Sequence, residues 1–248
     1  MSALLAPSPV SAQDAFELEV YSYVTVPRSA WELEAHLNYT ADGTTSFDGP
    51  VAPTEHQGHL VLELTRGITN HWEVAAYMLS AYRPGLGFEY AGARMRTSVR
   101  SPESWGLPVD LSLAAELELT RAAYDENTAG LEITPILGRR FGRVRIDFNP
   151  VLERGLRGRG GEDAEGWEFE PKGRVSVTLS RVVDLSVEYY GKTGLLGSTL
   201  PGNQQVHQFY PSVDLKLGDD LVIDVGVGFG TTPAGNRLVF KSYVEVPL

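Results

Sequence analysis

The sequence predicts an all-β chain folded as a single antiparallel up-and-down transmembrane β-barrel of about 12 strands, with short periplasmic turns and longer extracellular loops. Three observations carry this reading. Apolar and polar residues alternate with a period of two through most of the chain, connections between the alternating segments are by turns short and long, and aromatic residues sort toward segment ends. Composition agrees. The 248 residues hold no cysteine, which excludes disulfide scaffolds, thiol nucleophiles and cysteine-based metal sites. A net charge of −11, from 21 Lys and Arg against 32 Asp and Glu, argues against a nucleic-acid partner, because phosphate binding needs a basic surface.

Residues 1–13 contain Leu4, Leu5, two prolines and the small-residue run Val10, Ser11, Ala12, and read as a partial secretory signal peptide or a disordered N-terminus. Residues 14–29 alternate briefly, with Phe16, Leu18 and Val20 against Glu17, Glu19 and Tyr21. Counting them as a strand would make the total odd, so they are expected to form a periplasmic lead or an inserted plug ahead of Pro27. The barrel domain is expected over 30–248.

Its first segment, 31–40, sets Trp31, Leu33, Ala35, Leu37 and Tyr39 against Glu32, Glu34, His36 and Asn38. Segments 59–67, 71–82 and 88–99 follow, the last carrying Arg94 and Arg96 on its polar face. In 108–120, Val109, Leu111, Leu113, Ala115 and Leu117 oppose Asp110, Ser112, Glu116 and Glu118; the helix formers of 113–123 yield to the alternation around them. Segment 129–138 contributes Glu132, and 142–152 sets Val144, Ile146 and Phe148 against Arg143, Arg145, Asp147 and Asn149. Segment 166–179 opposes Trp167, Phe169, Val175, Val177 and Leu179 to Glu168, Glu170, Lys172, Arg174 and Ser176. In 182–192, Val183, Leu185, Val187 and Tyr189 face away from Asp184, Ser186, Glu188 and Tyr190. Segments 205–217, 220–230 and 236–247 complete the set, and an even count returns both ends to one rim. Gly226 and Gly228 alternate within a strand with no helix after them, so they read as small lumen-facing residues and not as a dinucleotide loop.

Connections at 67–70, 139–141, 180–181 and 218–219 are short, with 101–107 longer; those at 41–58, 121–128, 153–165 and 193–204 are long, and 83–87 and 231–235 fall on the same rim as the long set. Segments of this length suit a strand tilted across a hydrocarbon layer. Trp31 and Trp72 fall at the short-turn end of the apolar face, whereas Tyr39, Tyr82, Phe88, Trp167, Tyr189 and Phe229 fall near the long-loop end, as two interfacial girdles would.

The polar face carries sixteen acids and eight bases in these segments. Enclosed in a lumen, such charges must pair, because unpaired charges in a confined space are costly. The expected network comprises Glu32, Glu34, Arg94, Arg96, Glu116, Glu118, Glu132, Arg143, Arg145, Asp147, Glu170, Lys172, Arg174 and Glu188. Within it, Arg94, Arg96, Arg143 and Arg145 are expected near Glu116, Glu118, Glu132 and Asp147. One reading is a salt-bridged interior that holds the barrel's shape. The other is a narrow aqueous path whose acid excess favours cations.

Catalytic and cofactor motifs are absent: no P-loop, HExxH or GxSxG pattern occurs, and no catalytic residue or cofactor is expected. A lipid-acting enzyme would need a serine at short spacing from His207, and none follows. His36, His59 and Glu63 lie on adjacent segments and could meet at a metal, yet scattered histidines on a polar face read first as plain lumen residues, and no metal site is assigned. The loop holding Arg154, Arg157 and Arg159 with Glu162, Asp163 and Glu165 reads as a solvated loop; lipopolysaccharide phosphates are the other partner its arginines could take.

The stretches LEITPILGRRFGRVRIDFNPVLERGLRG, FEPKGRVSVTLS, VEYYG and GVGFGTTPAGNRLVFKSYVEVPL resemble uncharacterised Gram-negative outer-membrane β-barrel proteins grouped with outer-membrane transporters of the phenol-degradation-pathway type. The resemblance implies the bacterial outer membrane as location, membrane lipid as a partner, and a channel or transporter for small solutes. One departure stands out: such barrels tend to end in an aromatic residue, and here Pro247 and Leu248 follow Val246. Two alternatives stand beside the channel, a non-transporting structural or surface-interaction barrel and a soluble β-sandwich binding domain. The sandwich would bury Leu33, Leu111, Ile146, Val177 and Ile223 in one dry core.

Overall fold

The computed structural model of the chain describes residues 14–158, 166–218 and 221–248. The expectations for residues 1–13, and those for Arg159, Glu162, Asp163 and Glu165, lie outside the described residues. Twelve long strands form the barrel: β1 (Trp31–Asp42), β2 (Gly58–Thr69), β3 (Trp72–Arg83), β4 (Gly87–Arg100), β5 (Asp110–Thr120), β6 (Asn127–Phe141), β7 (Val144–Gly158), β8 (Glu168–Thr178), β9 (Val183–Lys192), β10 (Val206–Leu217), β11 (Leu221–Gly230) and β12 (Leu238–Pro247). Each pairs antiparallel with its neighbour in sequence, and β1 pairs with β12, so the sheet closes without a free edge.

The period of two that fixes each strand also sorts its side chains. On β1, His36, Asn38 and Thr40 are buried while Trp31, Leu33, Leu37 and Tyr39 are exposed. On β9, Asp184, Ser186 and Glu188 are buried while Leu185 and Val187 are exposed. Leu33 and Ile146 are exposed, and the half-buried Leu111, Val177 and Ile223 share the outer faces of their strands with exposed Leu113, Val175 and Val225, so the five do not meet in a central core, which removes the sandwich alternative. An outer surface this apolar is stable against lipid and not against water.

Strand boundaries differ from the sequence expectation mainly at the hairpin of β6 and β7, where both strands run to 15 residues. Their register over Leu131↔Arg154 and Asn127↔Gly158 extends the ladder into what the sequence reads as loop. A two-rung hairpin, Gly194–Leu195 with Ser198–Thr199, sits in the connection after β9 and attaches to β8 through Leu195↔Glu168. The connection between β3 and β4 is a tight turn at Pro84–Leu86, closed by the Leu86 N–H donating to Arg83 O. Gly228 is small for a packing reason: a Cβ there would lie 2.2 Å from the ring of Tyr210 inside the barrel.

Residues 14–21 lie inside the barrel, and 22–26 continue to the short-turn rim with Ser22 and Val24 exposed. They form no strand. Phe16 packs with Val61, Ala75, Tyr77, Leu79, Ala81 and Ala91; Leu18 and Val20 pack with Tyr190, Tyr210 and Val239; Tyr21 packs with Ala114 and Ile136. The alternation of Phe16, Leu18 and Val20 therefore serves contact with different walls of one lumen. The segment leaves at the short-turn rim, where Ser29 N–H donates to Gly67 O (2.9 Å) and Gly67 N–H to Ala30 O (3.1 Å). Gly67 must be glycine there, since a Cβ would fall 2.1 Å from Pro27 O.

Candidate functional site

Among the described residues the buried charges gather in the lumen, and their ion pairs follow from strand register. Arg94 and Arg96 on β4 face Glu118 and Glu116 on β5. Arg94 meets Glu118 (3.2 Å) and Glu116 (3.6 Å), and also Asp14 (2.7 Å) and Glu17 (3.3 Å) of the internal segment. Arg96 turns the other way, bonding Glu63 and approaching Glu73 at 3.5 Å. Arg145 forms a bidentate pair with Asp147 and reaches Asp110 at 3.4 Å. Arg174 bridges Glu188 (3.6 Å) and Asp214, and Lys241 bridges Glu188 and Asp224 (3.2 Å). Glu132 accepts a 2.6 Å bond from Thr134, and Lys172 is buried beside the ring of Tyr21.

Arg143 is a correction. It occupies the two-residue turn between β6 and β7 and is exposed, so it belongs to the rim and not to the lumen. The alternation gives it the parity of the inward Asp147 and Asn149 but does not show that the strand begins only at Val144. Lys192 is the converse case: it is buried and holds Glu168 (2.7 Å), Glu170 (2.7 Å) and Glu153 (3.5 Å). Its parity with Glu188 and Tyr190 was the available signal. His59 does not join His36. It sits 3.2 Å from Gln57 Oε1 with its ring edge-on to Phe16, and Glu34 stands beside His36 instead.

The internal segment is held largely through its backbone. Asn38 Nδ2 donates to the carbonyls of Ala15 (3.1 Å) and Phe16 (2.9 Å), Lys241 Nζ to Leu18 O (3.1 Å), Asn149 Nδ2 to Tyr21 O (3.1 Å), and Ser112 Oγ to Tyr23 O (2.7 Å). Val26 N–H donates to Glu73 Oε2 (2.7 Å) near the short-turn rim. An extended chain without a partner strand must find such acceptors and donors, because buried backbone groups left bare are costly.

Space beside the segment is unevenly distributed. Toward the short-turn rim, Glu19, Glu32, Glu34, Glu73, Glu245 and Arg96 border a cavity of about 170 Å³. Toward the long-loop rim, two cavities flanking Asp14 hold about 40 and 30 Å³. The loop 43–57 folds over this end: Ala52 is buried and its N–H donates to Ala123 O (2.9 Å), and Thr54 Oγ1 bonds Asn236. In the loop 121–126, burial pushes the carboxyl of Asp125 well above the usual carboxylate range, with Glu153 and Glu118 adding repulsion.

The aromatic residues of the outer face hold varied positions. Trp31, Trp72, Tyr39, Tyr82, Phe88 and Phe229 are exposed, Tyr189 is half-buried, and Trp167 precedes β8 half-buried. Trp72 Nε1 donates to Thr97 Oγ1 at 2.8 Å, and Arg66 stacks over Trp31 at 4.7 Å. Sequence reasoning passes over Trp105 and Phe141, both exposed at the short-turn rim. His207 is engaged by Tyr189 OH (2.7 Å) and Gln205 (3.2 Å) through its two ring nitrogens.

No family model matches the chain, and no curated protein matches it. Solved structures do. The COG4313 outer membrane channel from Pseudomonas putida F1 superposes with a TM-score of 0.58 at 9% identity, over 94% of this chain and 100% of that one. The KdgM porin in complex with disordered oligogalacturonate gives 0.56 at 10% identity, over 87% and 98%. The Acinetobacter baumannii outer membrane protein Omp33 gives 0.51 at 5% identity, over 89% and 98%. At these identities the likeness is one of fold: the chain is a closed twelve-stranded antiparallel barrel of the outer-membrane type.

Proposed function

We propose that the protein is a bacterial outer-membrane channel for small solutes, closed in this conformation by residues 14–26 acting as a plug. One observation carries the reading: the segment filling the lumen is bound by side chains alone, through separate hydrogen bonds, the ion pairs of Asp14 and Glu17 with Arg94 and the apolar contacts of Phe16, Leu18, Val20 and Tyr21, with no strand ladder to the wall. The strand ladder closes on itself without these residues, so the segment can leave without opening the barrel. The wall that remains is charged and rich in acids, which favours cations over anions. The fold shared with porins and channels supports the same reading, and the sequence stretches 131–158 and 226–248 support a relation to transporters of the phenol-degradation-pathway type. Membrane lipid covers the outer face, and Arg154 and Arg157, exposed on β7, are available to lipopolysaccharide phosphates. The reading contains no enzymatic step.

The test is current through a planar bilayer, comparing the intact barrel with a variant lacking residues 14–26, each checked for folding by heat-modifiable migration. The intact barrel is expected to be mostly silent and the variant to conduct steadily. A folded variant that passes no current would sink the channel reading and favour the second one, a structural or surface-interaction barrel. The ordered loop 43–57 over the outer end is the observation on that side.

A further inference from the structure

We propose that the lumen contains a binding site for a divalent transition cation of the Zn²⁺ class, built from Glu34 and His36 of β1 and Glu63 of β2, beside Glu19 of the internal segment. The three wall residues are buried, and one ligand atom from each lies within 4.8 Å of the others. His36 Nε2 is the hub, at 3.5 Å from Glu34 Oε2, 3.9 Å from Glu63 Oε2 and 4.0 Å from Glu19 Oε2. These separations are too long or too poorly aimed for hydrogen bonds.

Two of these atoms have no hydrogen-bond partner: His36 Nε2 and Glu63 Oε2. Both residues are at most 2% exposed, so water does not supply the missing bonds from bulk. Glu63 spends its other oxygen, Oε1, on Arg96 and on Thr65 (2.7 Å), which fixes the carboxylate and leaves Oε2 aimed at the imidazole. A buried imidazole nitrogen and a buried carboxylate oxygen, both without partners and 3.9 Å apart, are the arrangement a cation completes.

Size and chemistry select the ion. In a tetrahedral zinc site with bonds of about 2.0–2.1 Å, ligand atoms are roughly 3.3 Å apart. His36 Nε2 lies 3.5 and 3.9 Å from Glu34 and Glu63 and the three ligand atoms are all within 4.8 Å of one another, so a modest inward movement of the glutamates completes the set. One imidazole nitrogen with carboxylate oxygens suits Zn²⁺ and its neighbours better than Ca²⁺ or Mg²⁺, which prefer all-oxygen shells. The charges packed around the hub come from every side. Arg96 approaches from β4, Tyr243 of β12 lies 5.6 Å away ring to ring, and Glu17 of the segment forms with Glu19 and His36 a second set within 4.8 Å. Acids outnumber the single guanidinium. The site opens toward the cavity lined by Glu19, Glu32, Glu34, Glu73 and Glu245, which gives a cation an acidic approach from the short-turn rim.

Because His36 belongs both to the wall set and to the set it forms with Glu17 and Glu19, an ion held by the wall lies beside the segment. Binding is measured on the folded barrel and does not depend on whether the barrel conducts. The experiment titrates Zn²⁺ into the detergent-folded, chelator-stripped protein, read by competition with a chromophoric chelator. The same titration is run on His36→Gln, on Glu63→Gln, and on a variant with the surface histidines His56 and His71 both changed to Gln. One saturable equivalent is expected, at least about 10-fold weaker in His36→Gln and in Glu63→Gln and unchanged in the surface variant. Fast migration of the unheated protein certifies that each variant is folded. Absence of a saturable equivalent in the intact protein would overturn the site, as would full affinity in folded His36→Gln or loss of binding in the surface-histidine variant.

Discussion

Lys241 shows what a single charge does in this lumen. Its ammonium is 1% exposed and serves Glu188, Asp224 and the carbonyl of Leu18 together. Asp224 is fully buried and neither of its oxygens has a hydrogen-bond partner, so its charge rests on this one pairing. Replacing Lys241 by Met strands Asp224 and leaves Glu188 its longer pairing with Arg174, and a buried charge left alone costs about 3–5 kcal/mol. The expected outcome is a lower urea midpoint for the refolded barrel, with much of the loss recovered when Asp224→Asn is added. Residues of this kind were legible in part. Parity alone puts Lys241, Glu188 and Asp224 on the polar face, but which acid meets which base depends on stagger between strands, and Arg96 meets Glu63 and Glu73 across β3 where the sequence reading expected acids on the other side.

Strands are the scale at which the sequence speaks most clearly, because one period of two serves both pairing and the sorting of side chains. Met78 stands on the outer face of β3 between Trp72 and Tyr82, which mark the two rims of that strand. Met78→Arg therefore sets a charge near the middle of the hydrocarbon and should destabilise the barrel by about 2–4 kcal/mol in lipid vesicles. The same change at Trp105, exposed on the turn side, should have little effect; urea unfolding of both variants checks the contrast. Elements the sequence did not show have a common cause. The hairpin after β9 and the extension of β6 and β7 are made of backbone pairing without an apolar face, so no alternation announces them. The internal segment does alternate, yet alternation cannot tell a strand in a ladder from an extended chain touching several walls. A better signal lay on the wall: Val61, Ala75, Leu79 and Ala81 are apolar on the polar face of β2 and β3, and an apolar lumen patch implies something apolar against it.

At the scale of the whole molecule, apolar residues look outward, charges look inward, and the interior is filled. Loop lengths and girdles indicated the first two features from sequence; the filling required knowledge of how side chains from β1, β3, β5, β7 and β12 converge on one backbone. Emptied of residues 14–26, the lumen keeps an excess of acids over bases. Its reversal potential in a salt gradient should then have the sign of a cation-preferring pore, shrinking as ionic strength rises and screening shortens. An anion-preferring potential would contradict the charge assignment of the wall.

The absence of native cysteine makes the central claim directly accessible. Leu18 of the internal segment and Val239 of β12 belong to one buried cluster, so a Leu18→Cys, Val239→Cys double variant can lock the segment to the wall by oxidation. Single-channel current before and after addition of reductant is the decisive record. With the disulfide formed, the locked barrel should be silent, and openings should appear once it is reduced; a locked barrel that conducts, or a current that ignores the reductant, would contradict a plug held inside the lumen.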